Sequence, residues 1–171
     1  RQGATDSSAC PVSMAAGGAV KLNGTTLATL AAGATDFERL QAGDGADVLS
    51  GNGLDNRIYG GRGSDRISGG SGNDHLAGER GNDTLTGGAG ADTFEFRRGF
   101  GLDRVTDWTN NSDTLQLDDA LWGGGRTIAQ VLAAYADVVA GSVVLAFNAT
   151  STITLTGLTS VNSLSDDITI I

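Results

Sequence analysis

The chain has one cysteine, Cys10, and one histidine, His75, in 171 residues. A single thiol excludes an intrachain disulfide, so a small domain outside the cell would need another staple. A lone histidine at position seven of a regular repeat points to solvent, away from any Ser/His/Asp or zinc site, and no H-E-x-x-H motif occurs. Bases are scarce: 11 against 20 acids give a net charge of −9, a surface that repels nucleic acid and anionic lipid and attracts cations. No apolar run approaches the roughly 18 residues of a membrane span. Ala15–Val20 is too short and too glycine-rich for the apolar core of a signal peptide. The sequence opens on Arg1 rather than Met, so it is expected to be a piece of a longer protein.

Glycine is what the chain has in abundance. There are 27, and 15 of them fall within Ala42–Glu95. Glycine at this density is either flexible linker or a backbone that needs positive φ at fixed places. Periodicity separates the two. In blocks of nine the sequence reads AGDGADVLS (42–50), GNGLDNRIY (51–59), GGRGSDRIS (60–68), GGSGNDHLA (69–77), GERGNDTLT (78–86) and GGAGADTFE (87–95). A faded copy, GATDFERLQ (33–41), precedes them. The eighth position holds Leu40, Leu49, Ile58, Ile67, Leu76, Leu85 and Phe94; the sixth holds Glu38, Asp47, Asn56, Asp65, Asp74, Asp83 and Asp92. A linker has no reason to keep this frame.

One apolar side chain per nine residues cannot make a core alone. If each nonapeptide is a turn plus a short strand, successive strands fall on opposite sheets and two repeats close one coil. The eighth-position residues then stack in two columns, Leu40, Ile58, Leu76, Phe94 and Leu49, Ile67, Leu85. Coils stack at about 4.8 Å, so the sixth-position aspartates of one column face each other. Like charges at that spacing repel by about 1 kcal/mol in water and several at an effective dielectric near 20. A hard divalent cation reverses the sign. Calcium fits best, taking six to eight oxygen ligands with tolerant geometry, and nothing here offers the soft ligands of zinc. Folding and ion binding are then one event.

The blocks at 60–68, 69–77 and 87–95 match GGxGxDxUx at every position, U being large and apolar, and so resemble the RTX (repeats-in-toxin) family. The fold class implied is all-β: a parallel β-roll, a right-handed β-helix of two short parallel sheets, with a C-terminal capping β region and one short helix. The resemblance also implies calcium between turns 18 residues apart. One turn gives the carbonyls of positions two and four with its Asp; the other gives those of positions one and three with its own. Three sites follow: Gly43, Gly45 and Asp47 with Gly60, Arg62 and Asp65; Gly61, Gly63 and Asp65 with Gly78, Arg80 and Asp83; Gly70, Gly72 and Asp74 with Gly87, Ala89 and Asp92. Gly69 and Ser71, at the Asn56/Asp74 gap, and Gly81, Gly88 and Gly90, toward the last gaps, complete the metal set. Asn56 for Asp and Leu54 for Gly weaken the Asn56/Asp74 site, and the Glu38/Asn56 site is weaker still. Glu79 at position two is a carboxylate beyond the consensus. Residues 93–117, TFEFRRGFGLDRVTDWTNNSDTLQL, resemble the segment that ends such rolls. By that resemblance Asp103 and Asp107 close the last sites against Asp83 and Asp92.

The organisation expected is a linker or N-terminal cap over 1–32, the roll over 33–107, and a capping and secretion-signal region over 108–171. Thr127-Ile-Ala-Gln130 reads as a capping box, with Ile128, Val131, Leu132, Tyr135 and Val138 at helical spacing and Gly141 as the stop. Val143–Phe147 and Thr152–Leu158 read as strands around a turn at 148–151. Trp108 and Trp122 are expected to plug the end of the roll. No base follows Arg126, and the sequence ends Asp166-Asp-Ile-Thr-Ile-Ile171, similar to the C-terminal signal of RTX proteins exported by type I secretion.

No catalytic constellation is present, and the expected role is not enzymatic. The first expectation is a calcium-dependent folding and secretion module of a larger bacterial protein, secreted or on the cell surface. Its partners would be calcium, the type I secretion machinery at the C-terminus and an upstream passenger domain; no nucleic acid and no membrane span are expected. The alternative is a calcium-stabilised module that binds acidic polysaccharide or a cell surface through Arg57, Arg62, Arg66, Arg80, Arg97 and Arg98.

Overall fold

In a computed structural model of the chain, residues 12–14, 19–21, 27–30 and 38–171 are described. Cys10 and the start of the faded copy, 33–37, lie outside them. Strands alternate between two sheets as the nine-residue period requires. One sheet takes β1 (Val12–Met14), β3 (Leu27–Leu30), β5 (Val48–Ser50), β7 (Arg66–Ser71), β9 (Thr84–Ala89) and β11 (Leu102–Val105). The other takes β2 (Ala19–Lys21), β4 (Glu38–Gln41), β6 (Asn56–Arg62), β8 (His75–Arg80), β10 (Thr93–Phe96) and β12 (Thr114–Leu117). All these neighbours pair in parallel, with an offset of 18 residues from β4 to β10. The chain is a parallel β-roll.

The two apolar columns form as the period dictates, each member at most 2% exposed: Leu40, Ile58, Leu76 and Phe94 on one side, Leu49, Ile67 and Leu85 on the other. They run on past the regular repeats through Leu115 and Ile168, and through Val105, Leu155 and Val143. The offset grows to 20 residues between β9 and β11 and to 21 between β10 and β12. Extra residues after Glu95 are absorbed in the turns while the inward register survives.

Beyond β12 the alternation stops. β13 (Ala136–Val139), β14 (Ser142–Asn148) and β15 (Ser151–Leu155) form an antiparallel meander whose last strand pairs in parallel with β11. β16 (Ile168–Ile170) adds to β12 at the end of the second sheet. The capping box is formed as expected: Gln130 N donates to Thr127 Oγ1 and Thr127 N to Gln130 Oε1. The helix it starts, α1, covers Ile128–Tyr135 only. Val138 belongs to β13, and Gly141 turns a hairpin instead of ending the helix. The physical reason is a two-residue turn, Ala140-Gly141, with φ of 51° and 76°, which matches the twist of a hairpin and lets the β-branched Val138 and Val139 pair with β14.

Aromatic rings close this end. Phe96 and Phe100 pack edge to face at 5.2 Å, Phe147 contacts Phe100 and Tyr135, and Trp122 stacks on Phe147. Trp108 packs against Phe94 inside the core.

Candidate metal centre

The turns between strands carry the chemistry. At position six the side chain bends toward the coil before it. Asp65 Oδ1 accepts from Asp47 N at 2.8 Å, Asp83 Oδ1 from Asp65 N at 2.8 Å, Asp74 Oδ1 from Asn56 N at 2.8 Å, and Asp92 Oδ1 from Asp74 N at 2.9 Å. The second oxygen is left bare. Oδ2 of Asp65, Asp74, Asp83 and Asp103 has no hydrogen-bond partner, although each of these residues is only 1–2% exposed. A buried carboxylate oxygen without a donor is costly, and four of them in one short roll call for a cation.

Two glycine positions make this geometry possible. A Cβ on Gly60, at position one, would collide with Asp65 Oδ2. A Cβ on Gly63, at position four, would collide with Gly45 O of the preceding coil, and φ of +135° there disfavours any side chain. Glycine therefore lets the carboxylate fold back over its own turn and lets successive turns stack carbonyl against backbone.

The carbonyls converge from both sides of each gap. Gly43 O accepts from Arg62 N at 2.8 Å, while Arg62 O accepts from Gly45 N at 2.7 Å. Arg80 O accepts from Gly63 N, and Ala89 O from Gly72 N, each at 2.8 Å. A carbonyl oxygen has two lone pairs, so each keeps one acceptor site. The three expected groups thus face one another across single gaps: 43–47 against 60–65, 61–65 against 78–83, and 70–74 against 87–92. Among the described residues no three Asp, Glu, His or Cys side chains converge on one point. That agrees with a gap holding two carboxylates and otherwise main-chain oxygens, the donor set of a hard cation.

Burial pushes the carboxyls up. Desolvation, reinforced by neighbouring acids, raises Asp65 and Asp74 to about 7, and raises Asp103 to about 8; desolvation alone raises Asp83 to about 6. Asp92 is raised for the same first reason, with Asp113 and Asp107 as further causes. Near neutral pH the bare ladder therefore competes for protons, and a cation would replace them.

Asn56 differs from the aspartates at this position. Its Oδ1 accepts from Asn52 N at 2.9 Å and its Nδ2 donates to Asn52 Oδ1 at 3.2 Å, so the amide is satisfied within its own turn. Gly69 and Ser71 stand at this gap, and Ser71 N donates to Asn52 O at 2.9 Å. Glu79, held at φ +70°, is exposed, lines an outer groove, and adds to the charge that raises Asp65.

At the C-terminal end the ladder takes a different course from the expected one. Asp103 does close on Asp83, accepting from Asp83 N at 2.9 Å, and Gly81 N donates to Phe100 O. Arg98–Thr106, RGFGLDRVT, is thus an eighth, imperfect nonapeptide. Asp107 does not take the place facing Asp92. Its two oxygens accept from Gly87 N at 3.0 Å and Gly88 N at 2.8 Å, while Asp113 Oδ1 accepts from Asp92 N at 3.0 Å. The reason is register: the offset of 21 residues between β10 and β12 puts Asp113, not Asp107, two residues before the inward Leu115. The signal was D-x-L-x-L at 113–117, which repeats the spacing of positions six and eight. Also missed was an outer ladder at position five, where Oδ1 of Asp55, Asn73 and Asn82 accepts from the N–H of Asn73, Ala91 and Leu102. His75 sits on the outer face, but its Nε2 lies 2.7 Å from Glu95 Oε2 and is not free in solvent.

Residues 33–101 match the RTX calcium-binding nonapeptide repeat in four overlapping copies, at 33–67, 41–76, 50–85 and 68–101. No curated protein matches the chain significantly in sequence. Among solved structures, the R3 subunit of a mannuronan C5-epimerase from Azotobacter vinelandii is similar, with 26% identity, a TM-score of 0.52 and 79% of each chain covered. The extracellular lipase LipA from Serratia marcescens aligns at 17% identity and a TM-score of 0.46, over 97% of this chain and 41% of the lipase. The nine-residue frame and the bare inward carboxylates agree with that match: residues 33–101 carry RTX calcium-binding nonapeptide repeats.

Proposed function

We propose that the chain is a calcium-dependent folding and export module of a larger secreted bacterial protein. The observation that carries it is the set of buried, partnerless Oδ2 atoms on Asp65, Asp74, Asp83 and Asp103. Calcium bound between coils would supply the positive charge that lets these oxygens face inward. The gaps assigned are Asp47/Asp65, Asp65/Asp83, Asp74/Asp92 and Asp83/Asp103, each with carbonyls of positions two and four below and one and three above. Asp113 offers a further gap against Asp92.

Where calcium is scarce, carboxylate repulsion holds the repeats open and the chain stays threadable. Where it is plentiful, the roll closes from the C-terminal end, because β15 and β16 present edges to β11 and β12 and their aromatic core needs no ion. The Asp166–Ile171 segment would then be legible to a type I exporter only before folding, since Ile168 is buried and Ile171 N bonds Leu117 O in the roll. RTX repeats are typical of secreted bacterial proteins, which supports that location. Circular dichroism tests the reading: the β structure of the repeats is expected to appear with calcium and to be lost with EGTA, leaving at most that of the C-terminal region. Full β structure in EGTA would overturn it.

A second role, attachment to acidic polysaccharide, is favoured by the arginines of one outer face. The similar epimerase subunit comes from an enzyme named for mannuronan.

A further inference from the structure

The protein is acidic overall, yet its bases are not spread evenly. Six of its eleven, Arg39, Arg57, Arg62, Arg80, Arg97 and Arg98, lie on or just after β4, β6, β8 and β10 of one sheet. On the strands of the other sheet the repeats place only Arg66 and Arg104. The basic side carries an open groove of about 510 Å³.

Its lining has an unusual mixture of charges. Arg62 and Arg80 are register partners on adjacent strands, and Arg97 and Arg98 lie just after the end of the next, β10. Parallel strands hold such neighbours about 4.8 Å apart, close enough to repel unless an anion lies between them. Among the described residues no acid lies within ion-pair distance of Arg62, Arg80 or Arg98; only Arg97 is engaged, by Glu95. Two carboxylates, Glu79 and Glu95, share the groove. Glu79 stands where the consensus has glycine, at φ +70°, a strained place for a side chain and one that invites a functional reason. Ala77, the register partner of Tyr59, is buried at the floor of the groove.

We infer that this groove binds a carboxylated polysaccharide, with guanidinium groups of Arg62, Arg80 and Arg98 on successive uronate carboxylates and the exposed Glu79 accepting from ring hydroxyls, while Glu95 stays held by Arg97 and His75. The inference rests on the polysaccharide reading above and assigns it a site. Arginine suits the task because its planar fork meets a carboxylate through two parallel hydrogen bonds. The open groove runs across the strands, so a polymer can pass through it without presenting an end. A densely phosphorylated polymer or an anionic membrane fits less well, because it packs more negative charge beside Glu79 and offers no row of ring hydroxyls to it.

The test is titration of the calcium-loaded chain with alginate and polygalacturonate, against dextran and anionic phospholipid vesicles. Saturable, salt-sensitive binding to the uronates alone is expected. Arg97→Gln/Arg98→Gln and Arg62→Gln/Arg80→Gln should each weaken it about tenfold or more, the scale of a lost charge-assisted contact. Arg66→Gln/Arg104→Gln removes the same charge from the opposite sheet and should leave binding unchanged. Equal loss from both faces, equal binding of dextran, preference for vesicles, or no binding by a chain that circular dichroism shows folded would each overturn the site. Failure to fold with calcium would instead overturn the calcium reading, so the two failures are distinguishable.

Discussion

Asp83 and Asp113 both accept a backbone N–H from the coil before them, yet their second oxygens meet opposite fates. Asp83 Oδ2 is bare, whereas Asp113 Oδ2 accepts from Thr109 N at 2.7 Å. The contrast extends to the regions around them. In the repeats, core is thin and the inward acids Asp65, Asp74 and Asp83 have a donor on Oδ1 but none on Oδ2. In the C-terminal region, Asp107, Asp113, Asp118 and Asp167 take backbone N–H groups from Gly87, Gly88, Asp92, Thr109, Ala120 and Asn111, and clustered rings supply the core. The repeats leave carboxylate oxygens bare; the C-terminal region pairs its acids with backbone N–H groups.

Backbone substitutions sharpen this contrast most. Gly63→Ala combines left-handed strain with a collision against Gly45 O and should cost about 3 kcal/mol or more in thermal unfolding with calcium. Gly157→Ala, also at positive φ but with nothing within 4 Å of a new Cβ, should cost only about 1–2 kcal/mol. Equal losses would mean that coil stacking is looser than the fold implies.

Side-chain substitutions come next. Asp83 faces two gaps, so Asp83→Asn should raise the calcium concentration for half-folding about tenfold. Asp118→Asn keeps the cap on Ala120 N and should leave that midpoint unchanged, with stability altered by less than about 1 kcal/mol. A calcium titration followed by circular dichroism compares them directly.

The smallest effect is that of pH on the calcium-free chain. The folded-state carboxyls of Asp65, Asp74, Asp83 and Asp103 are raised from 3.8 to between about 6 and about 8. A raised carboxyl favours the closed roll when protonated, so that contribution is full below about pH 4 and fades as pH climbs through 6 to 8. Residual β structure in EGTA should therefore be greater at pH 5 than at pH 8, while calcium affinity runs the other way. The reverse trend would assign the buried acids to another partner.

Much of this was legible because the repeat is strictly periodic. Leu40 through Phe94 and Asp47 through Asp92 fell where a nine-residue frame put them, since inward column and inward carboxylate are fixed by the same two-residue spacing. The frame lost its power after Glu95. Extra residues there shift the count, and the consensus pointed to Asp107 when the inward Leu115 requires Asp113. The helix reading failed at Val138 for a different reason: helical and strand patterns both suit that short apolar run, and pairing with β14 decided it. The basic groove was only half visible, because sequence gives the arginines but not that four of them line one open surface with Glu79 and Glu95.

Hydrogen exchange with and without calcium, resolved by residue, tests the central claim most directly. The amides of Asp65, Thr84 and Asp74, each bonded across coils, should be strongly protected with calcium and unprotected in EGTA. Equal protection of these amides in both conditions would contradict the account, because the roll would then close without its ion.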